Sequence, residues 1–401
     1  MSTTPAATFA LTSQPRVLRP TRALPFDALR PTRAEVNLDH LRHNFNVVRR
    51  AVGAVPVWAV LKADGYGHGA KAVARTLERA GAAGVCVALV EEGIELRQAG
   101  ITVPILVIGG HYTRALGEVI EQRLTPVLHD PGQVDALADE LSYRDFGPID
   151  VHVKLDTGMG RLGMMPHEIP ALIRAFERHP AVRLYGLMTH FACADSDDPH
   201  SMFDQRALFD AATTQLTAAG LAPVVRHAAN SAAIFAGPDQ HLQMVRPGIS
   251  LFGVNPGSSH ALDLLPVMRV RTEVVATREL DVGQSVGYGA TWTAHRTSRI
   301  ATIPMGYADG LSRGLSNCGH VLIQGRRAPI VGTVSMDMTM LDVTEFPTCE
   351  IGEECVVLGG QKGALGSDTI SATEVAEHVG TIPWEILTSV SRRVPRFYRE
   401  P

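Results

Sequence analysis

Residues 57–80 read VWAVLKADGYGHGAKAVARTLERA. The opening run, Val57–Leu61, is apolar, too short for a helix, and rich in residue types that suit a strand buried on both faces. Lys62 ends that run, a glycine-rich turn carries Tyr66 and His68, and the amphipathic stretch Ala70–Ala80 predicts a helix. The chain then repeats this strand–turn–helix unit. Further apolar runs lie at Val85–Val90, Ile105–Ile108, Thr125–His129, Ile149–Leu155, Leu184–Thr189, Val224–Ala228 and, with the weakest pattern, Met244–Val245. Helix-like stretches between them include Glu91–Ala99, Gly132–Leu141, Glu168–Arg178 and Asp204–Ala219. Eight such alternations predict a (β/α)8 TIM-type barrel. An open doubly wound sheet competes, but it would not need eight near-regular repeats.

After about residue 265 the rhythm changes. Arg269–Thr277, Arg299–Pro304, His320–Ile323, Ala328–Val334, Thr339–Val343 and Glu354–Leu358 are short, β-prone and separated by Gly or Pro, and Ala372–His378 is the next helical pattern. This predicts a smaller, mostly β domain. The Gly-, Ser- and Pro-rich stretch Asn255–His260 marks the boundary. The expected division is an N-terminal extension over 1–32, flexible by its Pro, Thr, Ala and Arg content, a barrel over 33–262 and a β domain over 263–401.

Composition removes several classes of function. A net charge of -4 over 401 residues offers no basic surface for nucleic acid. Five cysteines, an odd number without a Cys-x-x-Cys pair, point to reduced thiols in a cytoplasmic setting rather than to disulfides or a metal site. Residues 1–29 contain no signal-type apolar run, and no segment reads as a membrane span. Only four of the 37 basic residues are lysines: Lys62, Lys71, Lys154 and Lys362. Base composition alone accounts for such a skew. Even so, lysine can become a neutral amine, form a Schiff base or be carbamylated, and arginine cannot.

In a barrel, the C-terminal strand ends face the active site. A lysine there is partly desolvated, which favours the neutral amine that attacks an aldehyde; a snorkelling surface lysine is the alternative. Other predicted strand ends lead into KLDTGMGRLG (Lys154–Gly163), MTHFA (Met188–Ala192), AANSAA (Ala228–Ala233) and VRPGIS (Val245–Ser250). Together they set Lys, Arg, His, Asn, Ser and a second Arg around one rim. The Gly-containing turn at Arg246–Ser250 can offer backbone N–H groups to a phosphate. A rim lysine and a late-strand phosphate cradle point to pyridoxal phosphate.

These segments, with VGYGATW (Val286–Trp292), GYADG (Gly306–Gly310) and SMD (Ser335–Asp337), occur in the order found in bacterial alanine racemases, and from about Arg33 onward the sequence closely resembles that family. The resemblance implies a pyridoxal 5'-phosphate-dependent isomerase of L- and D-alanine, a barrel followed by a β domain, and a homodimer with composite active sites. D-alanine would supply peptidoglycan or be degraded. By the same resemblance Lys62 holds the cofactor and acts as one base, and Tyr288, from the partner subunit, is the opposite-face base. Inversion needs two, because a proton leaves one face of Cα and another arrives on the opposite face. Both groups have unperturbed pKa values near ~10 and must be shifted toward working pH; His190 and nearby arginines are the expected contributors. Arg246 would face the pyridine nitrogen, and Tyr66, Asn230, Ser231, Gly248 and Ile249 the phosphate. Arg161, helped by the Met336 backbone N–H, would bind the substrate carboxylate. Lys154 matches a lysine often carbamylated in the family, while Tyr307, Arg313 and Asp337 match supporting and entrance positions.

One position departs from the family. In GTIPWEILTSVSRRVPRFY (Gly380–Tyr398), Trp384 stands where many members have a phosphate-binding Tyr. Trp donates through its indole N–H but cannot accept, and it is bulkier, so an altered phosphate contact or a reshaped entrance is expected. Competing readings are a broad-specificity or serine racemase on the same scaffold, a barrel-type amino-acid decarboxylase, and a non-catalytic pyridoxal-phosphate carrier. The Lys62–Tyr288 pairing and Arg246 argue against the decarboxylase. The carrier lacks a β domain.

Overall fold

The computed structural model describes residues 29–399, apart from 113–114, 197 and 258–261. The apolar runs form seven parallel strands: β2 (Trp58–Val60), β3 (Gly84–Val87), β4 (Ile105–Val107), β5 (Thr125–Leu128), β6 (Ile149–Lys154), β7 (Val182–Met188) and β8 (Val225–His227), hydrogen-bonded in sequence order. The eighth position is filled by the Met244–Pro247 segment. Val245 bridges Val57 in parallel. Its carbonyl accepts from Trp58 N at 3.0 Å, and Pro247 O accepts from Val60 N at 2.8 Å. On the other side Arg246 N donates to Ala229 O at 3.0 Å, closing the ring. This segment is barely a strand because Pro247 lacks an N–H and the chain turns at Gly248.

Helices follow the strands at Ala70–Arg79, Val90–Gln98, Gly132–Tyr143, Ile169–Arg178 and His200–Ala218, within a few residues of the expected ranges. Helix α1 (Leu38–Val52) was not among the expected elements. Its signals are local: Asn37 caps it by accepting from Asp39 N and His40 N, Leu38, Leu41, Phe45, Val48 and Val52 face the core, and Gly53 ends it at φ +63°.

The remaining strands build the second unit. Strand β9 (Met268–Glu273) lies in a sheet with Arg326–Pro329, His320–Ile323, Glu354–Gly363, β1 (Arg33–Asn37) and Arg396–Arg399, and Gly366–Ile370 pairs with Glu354–Gly363. A three-stranded sheet (Ala276–Leu280, Ser298–Ile303, Thr339–Asp342) and the two-stranded ribbon Ser285–Val286/Trp292–Thr293 complete it. The apolar run Arg269–Thr277 thus splits between two sheets. Strand β1 precedes the barrel in sequence but pairs antiparallel with β9 and parallel with Arg396–Arg399.

Residues 1–28 of the expected extension, and 258–260 of the expected boundary stretch, lie outside the described residues. The end of the extension is fixed: Arg30 makes a two-pronged ion pair with Asp309, at 2.7 and 3.0 Å, and Thr32 Oγ1 donates to Pro304 O at 2.8 Å. Among the described residues no helix is long and apolar enough to cross a membrane.

Candidate active site

Lys62 leaves the end of β2 into an unusual turn. Ala63, Asp64, Gly65 and Tyr66 all have left-handed backbone angles, with φ of +53, +54, +63 and +53°. For residues with a Cβ this conformation costs roughly 1–2 kcal/mol each, so the surroundings must hold it. Ala63 N donates to Glu92 Oε1 at 2.6 Å, Gly65 N to Leu61 O at 2.9 Å, and Ala70 N to Asp64 Oδ1 at 2.8 Å. Gly67 lies so close to the Leu387 carbonyl that a Cβ would fall 2.3 Å from its oxygen. Burial, then the positive charge of Arg161, pulls the Lys62 ammonium below its usual pKa, against the opposing effect of Glu92.

Lys154 ends β6 and is only 4% exposed. Burial, reinforced by Arg161, Arg246 and Lys62, brings its pKa down to about 8. His190 follows β7; burial and the charges of Arg246, Arg161, Lys154 and Lys62 hold its imidazole neutral, with a pKa of about 3. Lys62, Lys154, Arg161, His190 and Arg246 therefore form one electrostatically coupled group. Arg161 is positioned by a residue not singled out in the sequence. The Asp156 carboxylate accepts from Gly158 N (2.9 Å), Gly160 N (3.1 Å) and Arg161 N (3.0 Å), shaping the turn. Burial raises the Asp156 pKa, but these N–H groups hold it below the usual value. An Asp followed by two glycines within four residues was the available signal.

Arg246 is buried, and burial lowers its pKa to about 10. Its Nη2 donates to Thr189 O at 2.9 Å and Ala228 O at 3.1 Å, and lies 3.5 Å from His190 Nδ1; its Nη1 donates to His227 Nδ1 at 2.6 Å. None of the four cations Lys62, Lys154, Arg161 and Arg246 forms an ion pair with a carboxylate among the described residues.

The turn after Arg246 closes against β8. Ser231 Oγ accepts from Gly248 N at 2.8 Å and lies 3.1 Å from Ser250 Oγ, and Asn230 caps the helix Ser231–Ala236 by accepting from Ala233 N at 3.0 Å. Tyr66 is buried against Phe252, with ring centroids 4.9 Å apart. Its hydroxyl presses on the Gly248 backbone, where a Cβ would come within 2.3 Å. Tyr66, Asn230, Ser231, Gly248 and Ile249 are thus brought together, with Ser250 as a further member that the sequence did not single out.

The β-domain candidates form a separate group. Tyr288 is 75% exposed on a turn flanked by Gly287 and Gly289, both at φ +73°, and its carbonyl accepts from Thr333 Oγ1 at 3.0 Å. Tyr307 N donates to Ser335 O at 3.0 Å and Ala308 N to Met336 O at 3.1 Å, joining the Tyr307 and Met336 loops. Asp337 accepts from Arg393 at 2.7 Å, and Arg313 is exposed at the start of the short turn Arg313–Leu315. Half-buried Trp384 lies on the helix Pro383–Ser389, whose Leu387 backs onto the Lys62 turn.

Residues 36–256 match the family profile described as alanine racemase, N-terminal domain, and residues 267–398 match alanine racemase, C-terminal domain. An alanine racemase of Sorangium cellulosum is 56% identical over 379 residues, covering 93% of this chain and 100% of the relative. Among solved structures, an alanine racemase of Clostridium difficile superposes with a TM-score of 0.86 at 34% identity, covering 92% of this chain and 96% of that one. The alanine racemase of Bartonella henselae with covalently bound pyridoxal phosphate superposes at 0.83, with 30% identity and coverage of 92% and 99%.

Proposed function

The chain belongs to the alanine racemase family, and from that premise we propose that Lys62 and Tyr288 are the two bases of its reaction, drawn from different subunits of a homodimer. It is an isomerase that interconverts L-alanine and D-alanine with pyridoxal 5'-phosphate. The residues of the rim fit that cofactor. An aldehyde needs a partly neutral amine, and Lys62 is a lysine with a lowered pKa. A phosphate needs close backbone approach, and the Gly248 backbone, pressed by Tyr66 and held by Ser231, leaves no space for a side chain. An anionic group needs uncompensated cations, and four surround the rim.

Bound there, the cofactor withdraws electrons from the substrate Cα and so acidifies its C–H bond. Lys62 holds or releases the proton on one face. Tyr288 does so on the other and reaches the site from the partner subunit, in keeping with its exposure on a single chain. Arg161, with Met336 N–H, grips the substrate carboxylate. Arg246 would face the ring nitrogen, and a guanidinium keeps its own proton, so the nitrogen would stay uncharged. Tyr66, Asn230, Ser231, Gly248 and Ile249 would hold the phosphate, with Trp384 as the further expected contact. Tyr307, Arg313 and Asp337 shape the entrance, and His190 stays neutral among the cations. A pKa near 8 leaves a share of Lys154 as free amine at neutral pH, the form that takes up CO2. The resulting carbamate would be an anion able to orient Arg161. In functional terms the expected barrel range 33–262 loses β1 (Arg33–Asn37) to the second sheet, so the cofactor barrel begins at Leu38, while β1 and residues from 263 onward build the unit that carries the opposite-face loops, in a cytoplasmic enzyme.

The observation that carries this reading is the cluster of a strand-end lysine with three further cations, none of the four paired with a carboxylate among the described residues. Its test is subunit complementation. Lys62→Ala and Tyr288→Phe proteins are each expected to be inactive with L-alanine and pyridoxal phosphate by chiral chromatography. Mixed and reassembled, they should regain activity, because one of the two sites in each heterodimer then holds both bases. No recovery in verified heterodimers would overturn the shared site; no D-isomer from L-alanine, L-serine or L-lysine with the unaltered protein would overturn the residue roles.

A further inference from the structure

Behind Arg246 the barrel interior holds a polar chain that none of these roles uses. Arg246 Nη1 lies 2.6 Å from His227 Nδ1, and His227 Nε2 lies 2.7 Å from His152 Nδ1. The three residues are 3, 0 and 1% exposed. At the far end, His152 Nε2 is buried without a hydrogen-bond partner among the described residues. The barrel wall is built around this last ring. At Gly186, in the middle of β7, a Cβ would fall 2.3 Å from His152 Nδ1, and the β6–β7 register shifts between Val151 and His152. A glycine inside a strand weakens it and often marks a close approach of other groups. Here the approaching group is the imidazole.

The direction of every bond in the chain is set from the arginine. A guanidinium donates only, so His227 Nδ1 must be bare. Burial, then Arg246, holds His227 well below the ordinary imidazole pKa, so its single proton sits on Nε2 and is donated to His152 Nδ1. His152 is pushed down to about 3 by burial and Arg246, so it too is neutral, with its proton on Nε2. The other charged or titratable groups around the chain are Cys86 beside Arg246, Lys154 two residues along β6, His190 at 3.5 Å from Arg246 Nη2, and Tyr185 on β7, whose ring centroid lies 5.9 Å from that of His152. None of them is a hydrogen-bond acceptor for His152 Nε2.

We propose that His152 is a positioning residue for racemisation: as terminal acceptor it locks His227 in the Nε2–H form, and that form holds Arg246 as a donor-only cation toward the cofactor's ring nitrogen. The proposal rests on the assignment of Arg246 to that nitrogen. A proton added to His227 would set N–H against the Arg246 N–H, and one added to His152 Nδ1 would do the same against His227. The chain therefore refuses protons from both directions. Without His152, the His227 Nε2–H loses its acceptor, and the ring is free to turn its bare Nδ1 away from Arg246 and change tautomer.

The test uses the holoenzyme labelled with 15N-histidine, together with His152→Leu, which removes the acceptor, and His152→Gln, which returns one. In the unaltered protein, solid-state 15N NMR should show His152 and His227 as neutral Nε2–H forms from pH 5 to pH 9. In His152→Leu the His227 signal should leave that form, and the absorption band of the bound cofactor should shift. The kcat should fall about tenfold, the worth of one charge-assisted hydrogen bond, with KM for alanine nearly unchanged. His152→Gln should restore both the band and the rate to within about threefold. A His152→Leu protein with lower Tm but unchanged His227 signals, band and kcat would reduce His152 to packing. An Nδ1–H His152 in the unaltered protein would overturn the chain even if that variant failed to fold. A switched His227 with an unmoved band would overturn the Arg246 assignment instead.

Discussion

Two clusters of cations in this chain are treated in opposite ways. In the β domain, Glu35 is 5% exposed and accepts ion pairs from Arg33 (3.3 Å), Arg269 (3.1 Å), Arg271 (2.9 Å) and Arg399 (2.7 Å), while Glu354 takes up Arg271 as well. At the barrel rim, Lys62, Lys154, Arg161 and Arg246 share no such partner among the described residues. The nearby carboxylates Glu92 and Asp156 are occupied with backbone N–H groups. Buried charge without a counter-charge is unfavourable, and the lowered pKa values of Lys62, Lys154 and Arg246 record it. The first cluster ties strands together. The second is left poised for an anionic ligand, and stability is given up there for function.

If that contrast is right, substitutions at the two places should separate activity from stability. The largest effect is expected from Lys62→Ala, which should lower alanine turnover by roughly 10⁴-fold or more without lowering the thermal midpoint; residual turnover near the unaltered level would break the comparison. Tyr288→Phe should cost roughly 10²–10⁴-fold. Because only a hydroxyl is removed and the ring is exposed on the single chain, the unfolding curve should not move, and deuterium uptake from solvent should be slowed in one direction more than in the other. Glu35→Gln should do the reverse. It is expected to destabilise by about 2 kcal/mol in urea unfolding, less than a fully buried pair because its arginines are partly exposed, with kcat unchanged.

Lys154→Met should stabilise the protein, measured in CO2-free buffer at pH 7. The sign follows from a pKa of about 8 in the folded protein against 10.5 unfolded. Below pH 8 both states are protonated and the penalty is full. Between 8 and 10.5 the unfolded state binds more protons, so the unaltered protein gains stability as pH rises. The advantage of the variant, on the order of 1–2 kcal/mol at pH 7, should therefore fade by about pH 10.5. A gain that persists at high pH would assign it to packing instead. The smallest effect is expected from Trp384→Tyr, with cofactor affinity changed by about threefold, as for one modest hydrogen bond, and kcat barely affected.

The barrel was legible because its strands are continuous apolar runs whose helices follow at short, regular intervals. The rim residues were legible once the strand ends were placed, since every C-terminal end faces one site. Helix α1 was not read, although Asn37 and Gly53 signal both its ends. The membership of β1 in the second sheet could not be read either, because its partners lie more than two hundred residues away and leave no local mark. Asp156 and Glu92 act through backbone contacts, Ser250 through the Ser231 hydroxyl, and His152 and His227 face the barrel interior within otherwise ordinary strand sequences. Their roles exist only once the strands have been set side by side. The left-handed turn after Lys62 was legible in its glycines but not in Ala63, Asp64 and Tyr66, which adopt the same conformation.

The pairing of β1 with both β9 and the final strand gives the chain an unexpected wiring. The barrel is an insertion: it is spliced between two adjacent strands of one sheet, and the first and last strands of the described chain lie side by side in parallel. A single scission near residue 262 would therefore not release two intact modules, since the C-terminal piece would leave β1, the strand that joins β9 to Arg396–Arg399, behind with the barrel. A circular permutant that joins the two ends and opens a barrel loop would keep every strand with its neighbours. For this molecule, the seam suggested by linear order and the seam along which the fold can be taken apart lie in different places.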